Sequence, residues 1–81
     1  MSANLVLPLE CLGAGDWADV TDVAGAPDWV GRMAELGLRP GCRLRMLQPG
    51  RPCLLLVSGG RLCLRGEDGA QILVRPCEDC P

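Results

Sequence analysis

The groups able to do chemistry in this chain are thiols and carboxylates. Six cysteines stand at Cys11, Cys42, Cys53, Cys63, Cys77 and Cys80, and there is no histidine. Cys77-Glu78-Asp79-Cys80 is a CxxC. Two thiolates at that spacing suit a soft divalent ion such as Fe²⁺ or Zn²⁺, but a closed site wants four ligands. No second CxxC is present. A complete site at Cys77 and Cys80 would need Cys11 plus a carboxylate, or the same segment from a second molecule. Redox catalysis fits less well. A reactive CxxC lies at a helix amino terminus, which favours the thiolate; this one lies between Pro76 and Pro81, beside Glu78 and Asp79. Without histidine the chain also lacks Ser/His and Cys/His nucleophile pairs and the commonest general base. The expectation is a protein that is not an enzyme and requires no cofactor.

The elements that must hold these groups are few. The chain has 81 residues, 48% of them apolar and 22% charged, which means one small folded domain. At this length about 60% of the unfolded chain's surface is buried, so the core is thin. The longest apolar run, Cys53 to Val57, is far short of the roughly 20 residues that span a bilayer. No positively charged leader is visible. These features predict a cytoplasmic protein without membrane insertion. Charge is segregated. Residues 1–31 carry five acids and no Arg, residues 32–66 carry seven Arg against Glu35, and residues 67–81 are again acidic. The net charge of −2 and only two stacking aromatics, Trp17 and Trp29, speak against a nucleic-acid partner.

Periodicity places five strands and one helix. Trp17 to Ala24 reads as a strand bounded by Gly and Pro. Ala26-Pro27-Asp28 is a helix entrance, and Val30, Met33 and Ala34 share one apolar face. Leu36-Gly37-Leu38 is a helix exit with Gly able to adopt positive φ, and Pro40-Gly41 suits a tight turn. From Cys42 the period becomes two, with Leu44 and Met46 on one face and Arg43 and Arg45 on the other. Cys53–Val57 and Arg61–Arg65 form a hairpin, with Gly59-Gly60 supplying positive φ. Leu62 and Leu64 share one face and Cys63 takes the other. Ala70–Val74 is the last strand. The expected domain is residues 1–74, with 75–81 a mobile tail that carries the CxxC. Cys42 and Cys53 fall on inward positions, where thiols pack as small hydrophobes.

The run Arg32-Met33-Ala34-Glu35-Leu36-Gly37-Leu38-Arg39-Pro40-Gly41, followed by Gly60-Arg61-Leu62-Cys63-Leu64-Arg65 and Ala70-Gln71-Ile72-Leu73-Val74, resembles the FeoA family of bacterial ferrous iron transport. The resemblance covers about residues 9–74 and does not include the CxxC. Leu36, Gly37, Leu38, Pro40, Gly41, Leu62 and Leu64 match its structural motifs. It implies a mainly β fold: a small SH3-like barrel of about five strands with one short helix inserted after the first strand. Similar modules end some metal-dependent repressors, but this chain has no room for a helix-turn-helix. The implied role is an accessory of FeoB, the membrane ferrous iron transporter with a cytosolic GTP-binding domain.

Strand parity adds a candidate contact surface. If Cys53, Leu55 and Val57 point inward, Leu54 and Leu56 point outward, and Leu47 and Leu73 share that parity. An outer sheet face is expected to be polar. Either the amino-terminal segment around Leu5, Val6 and Leu7 covers these leucines, or Leu54, Leu56 and Leu73, with Arg43 and Arg45, form a docking or self-association patch.

Overall fold

The structure is a computed structural model that describes residues 5–66 and 71–77. Six strands make one antiparallel sheet: β1 (Leu7–Pro8), β2 (Trp17–Val23), β3 (Arg43–Gln48), β4 (Cys53–Val57), β5 (Gly60–Leu64) and β6 (Ile72–Cys77). Their order is β1-β6-β2-β3-β4-β5, so β2 to β5 form a meander and β6 returns to the free side of β2. A helix, α1 (Pro27–Glu35), joins β2 to β3, and a 3₁₀ turn (Leu9–Cys11) follows β1. This is the mainly β, SH3-like architecture expected, as a curled sheet with β1 and β5 at its edges. Among the described residues, no helix is long and apolar enough to cross a membrane.

Each strand follows from its pattern, with two adjustments. In β2 the buried residues are Ala18, Val20 and Val23, and a spacing of three does not fit a period of two. The register against β6 shifts between Val20 and Asp22, and this bulge turns Val23 inward. The β3–β4 register shifts likewise between Met46 and Gln48, leaving Leu47 half-buried. Bulges bend a strand and increase its twist, as a curled sheet requires. Leu44, Met46, Leu55, Leu64, Ile72 and Val74 fill the concave side with Leu9, Leu12, Met33 and Leu38. Cys53 is buried among them and Cys42 packs against them half-buried, as their parity indicates.

The helix exit is a complete Schellman motif. Gly37 N–H donates to Ala34 O at 3.0 Å, and Leu38 N–H donates to Met33 O at 2.8 Å. Gly37 has φ +98° and Leu38 is fully buried. A Cβ on Gly37 would collide with the Ser58 side chain. Arg39 to Cys42 closes the next turn, Cys42 N–H donating to Arg39 O at 3.1 Å with Gly41 at φ +95°.

Three expectations need correction. Among the described residues the strands number six, because Leu7–Pro8 pairs with β6; the helix therefore follows the second strand. Two residues are too short to show a period, and only pairing reveals them. The hairpin's positive φ values fall on Ser58 (52°) and Gly59 (80°), while Gly60 already pairs with Val57 in β5. The last strand does not stop at Val74. Arg75, Pro76 and Cys77, read above as tail, pair with Asp19, Ala18 and Trp17. Residues 78–81, including Cys80, lie outside the described residues, as does Ala70. Leu5 and Val6 are 57% and 43% exposed, and three strands, β6, β2 and β3, stand between β1 and β4 in the sheet.

Candidate docking face

The convex side of the sheet is built from odd and even positions that the registers bring into rungs. Trp17 lies opposite Arg45, Arg45 opposite Leu56, and Leu56 opposite Arg61. On its other side Trp17 lies opposite Cys77. One rung thus crosses five strands as Cys77, Trp17, Arg45, Leu56 and Arg61. The next rung holds Arg75, Asp19 and Arg43. On the other side of the first, Leu54 lies opposite Cys63, beside the bulged Leu47. Trp17, Leu54 and Leu56 are half-buried and Arg61 and Arg75 are exposed.

The arginines are organised differently. Arg43 grips Asp19 with two hydrogen bonds, Nε to Oδ1 at 2.9 Å and NH2 to Oδ2 at 3.4 Å. With side chains 49% and 33% exposed, this pair contributes less than about 1 kcal/mol. The hydrogen bond from Arg43 holds the Asp19 carboxyl below its ordinary value, against a smaller opposing effect of burial. The Cys77 thiol approaches the same carboxylate, Sγ to Oδ2 at 3.6 Å. Arg45 places its Cζ 5.6 Å from the centre of the Trp17 ring, and its Nε–H reaches Gly15 O at 3.4 Å. An open depression of about 660 Å³ runs beside Asp19, lined by Val20, Thr21, Gly41, Arg43 and Arg75.

Of the residues singled out from sequence, Arg43, Arg45, Leu54 and Leu56 come together on this face. Leu73 does not. It is outward but lies on β6 opposite Pro8 and Asp22, with β2 and β3 between it and β4. The four outward leucines therefore make no single patch. Cys77 is part of the face through β6, and Cys80 falls outside the described residues. Among the described residues no group of three or more thiols and carboxylates is arranged to hold a metal. Sequence reading missed Trp17, Asp19, Arg61 and Arg75 as members of this surface. Their signal was parity along each strand, but only the strand order shows which parities meet.

The FeoA domain family model matches residues 7–76. A search among curated proteins finds no match. Among solved structures, one described as an iron uptake regulatory protein (FeoA) is similar with a TM-score of 0.83 and 25% identity, covering 90% of this chain and 100% of that one. The FeoA protein of Chlorobium tepidum has 36% identity and a TM-score of 0.79 over 85% of this chain and 69% of its own. The Stenotrophomonas maltophilia FeoA, crystallised with zinc, has 29% identity and a TM-score of 0.72 over 84% and 88%. It is described as a procaryotic SH3 domain protein and a candidate ferrous iron transport activating factor. With its sequence matched over nearly its whole length and its fold shared, this chain belongs to the FeoA family.

Proposed function

We propose that this protein is a non-enzymatic adaptor of bacterial ferrous iron uptake. It docks on the cytosolic part of a FeoB-like transporter and modulates that transporter's assembly or nucleotide cycle. The observation that carries the reading is the rung Trp17–Arg45–Leu56, half-buried on a convex sheet face that solvent exposure alone would make polar. An aromatic and an arginine in contact, with a leucine opposite, bring the residue types enriched at interface centres together with an apolar neighbour. Family membership supports the iron-uptake setting, and the activating role ascribed to the Stenotrophomonas maltophilia relative supports an accessory one. The test is an NMR titration of the labelled, reduced protein with the cytosolic domain of its cognate transporter, with and without Fe²⁺. Shifts clustered on Trp17, Arg45, Leu54 and Leu56 without iron support the adaptor; no shift at any ratio rejects it.

A second reading has one observation behind it. The Cys77 thiol and the Asp19 carboxylate lie 3.6 Å apart, a sulfur and an oxygen donor on one face. With Cys80 they would begin a site for Zn²⁺ or Fe²⁺. Shifts confined to Asp19 and the residues around Cys77, appearing only with metal and absent in Cys77→Ser, would favour a metal-sensing role.

A further inference from the structure

We infer that the docking face recognises an acidic segment of its partner, one with apolar residues at its centre and carboxylates at both ends, laid across the strands from β6 to β5. This deepens the adaptor reading and rests on it.

The argument is one of charge and place. Four arginines, Arg43, Arg45, Arg61 and Arg75, stand on the two central rungs against one acid, Asp19. The whole chain is nevertheless acidic, at −2. Arg43 is neutralised by Asp19, and Arg45 is held over Trp17. Arg61 and Arg75 are exposed and form no salt bridge within 4 Å among the described residues, although Arg75 stands opposite Asp19 and adds to the field on its carboxylate. They occupy the two flanks of the Trp17–Arg45–Leu56 centre, one on β5 and one on β6. A guanidinium presents a planar fork that suits a carboxylate, so each flank offers an anion contact at the rim of a desolvated centre. From β6 to β5 is four strand spacings, roughly 19 Å along the sheet, which an extended segment crosses in about six residues. Among the described residues, the other acids, Glu10, Asp16, Asp22, Asp28 and Glu35, are exposed and occupy no position on these two rungs. Where those acids stand, like charge disfavours an acidic partner, and the arginine face is the better landing place.

The experiment compares the full chain with Arg61→Glu, Arg75→Glu, the double variant and Arg32→Glu as a helix-borne control. Each is titrated with the cytosolic domain of the cognate transporter at about 50 mM and about 300 mM salt. All three sites are exposed, so a two-dimensional NMR spectrum checks that each variant keeps the fold. The expected result is a Kd raised about tenfold by each flank substitution and more by both, with the salt dependence reduced and Arg32→Glu unchanged. If Arg61→Glu and Arg75→Glu bind like the parent while Leu56→Lys does not, the face docks but the acidic-segment inference is wrong. If the parent chain does not bind at all, the adaptor reading fails and takes the inference with it. A salt-sensitive complex of this face with a short oligothymidylate, lost in the double variant, would overturn it in favour of a nucleic acid.

Discussion

Arg45 lies over the ring of Trp17, its guanidinium carbon 5.6 Å from the ring centre, and the two residues are directly opposed across β2 and β3. The contact holds two chemistries in one place: a flat apolar surface and a planar guanidinium. At a solvent-facing site it contributes about 0.5–1 kcal/mol to stability. Its larger effect is on shape, since each side chain restricts the other on the convex face. Trp17→Ala is expected to lower stability by no more than about 2 kcal/mol in urea unfolding. Its Kd for the transporter's cytosolic domain should rise at least about thirtyfold, the loss typical of a central aromatic anchor. A variant that binds like the parent would remove Trp17 from the interface.

Leu54, Leu55 and Leu56 are consecutive, yet they do opposite things. Leu55 is fully buried, and Leu55→Ala should cost about 2–5 kcal/mol of unfolding free energy by opening a cavity. Leu54→Lys with Leu56→Lys should leave the folded NMR spectrum in place and abolish binding. Loss of the folded spectrum in that double variant would show that the convex leucines are needed by the core.

Gly37 carries a different constraint. Its φ of +98° disfavours any Cβ, and a Cβ there would also need the Ser58 hydroxyl to turn away and the Val57 side chain to give. Gly37→Ala is expected to destabilise by about 1–3 kcal/mol, read as a lower denaturation midpoint. Gly31 is the natural contrast: it is helical and a Cβ there meets nothing within 4 Å. Gly31→Ala should stabilise by about 0.5–1 kcal/mol.

Asp19 sets a pH dependence of defined sign. Arg43 lowers its folded-state pKa below the ordinary 3.8. A depressed carboxyl adds stability above the unfolded value and loses it as pH falls through the folded one. Unfolding midpoints followed from neutral pH into the range below 3.8 should therefore show an acid loss that is weaker in Asp19→Asn. The size of the difference is modest, under about 1 kcal/mol, because the pair is solvent-exposed. Equal acid slopes in the two proteins would show that the ion pair is not maintained in solution.

Residue order alone determined most of the local structure. The alternation from Cys42 onward, the apolar run Cys53–Val57, the glycine after Leu36 and the turn at Pro40-Gly41 each carry their reason within a few neighbours. The inward parity of Leu44, Met46, Cys53, Leu55 and Leu64 and the outward parity of Arg43, Arg45, Leu54 and Leu56 were likewise legible, since a period of two needs no partner strand to be seen. What tertiary structure decided was adjacency. Leu7–Pro8 is a strand only because β6 pairs with it, and Arg75 to Cys77 leave the expected tail only because Trp17 to Asp19 offer a ladder. The same returning strand carries Leu73 away from Leu54 and Leu56, and brings Arg75 and Cys77 to Asp19, 56 and 58 residues away in the chain. Pairings of that range are fixed by how well the whole sheet closes over one core, a sum over many contacts that no short stretch of sequence contains.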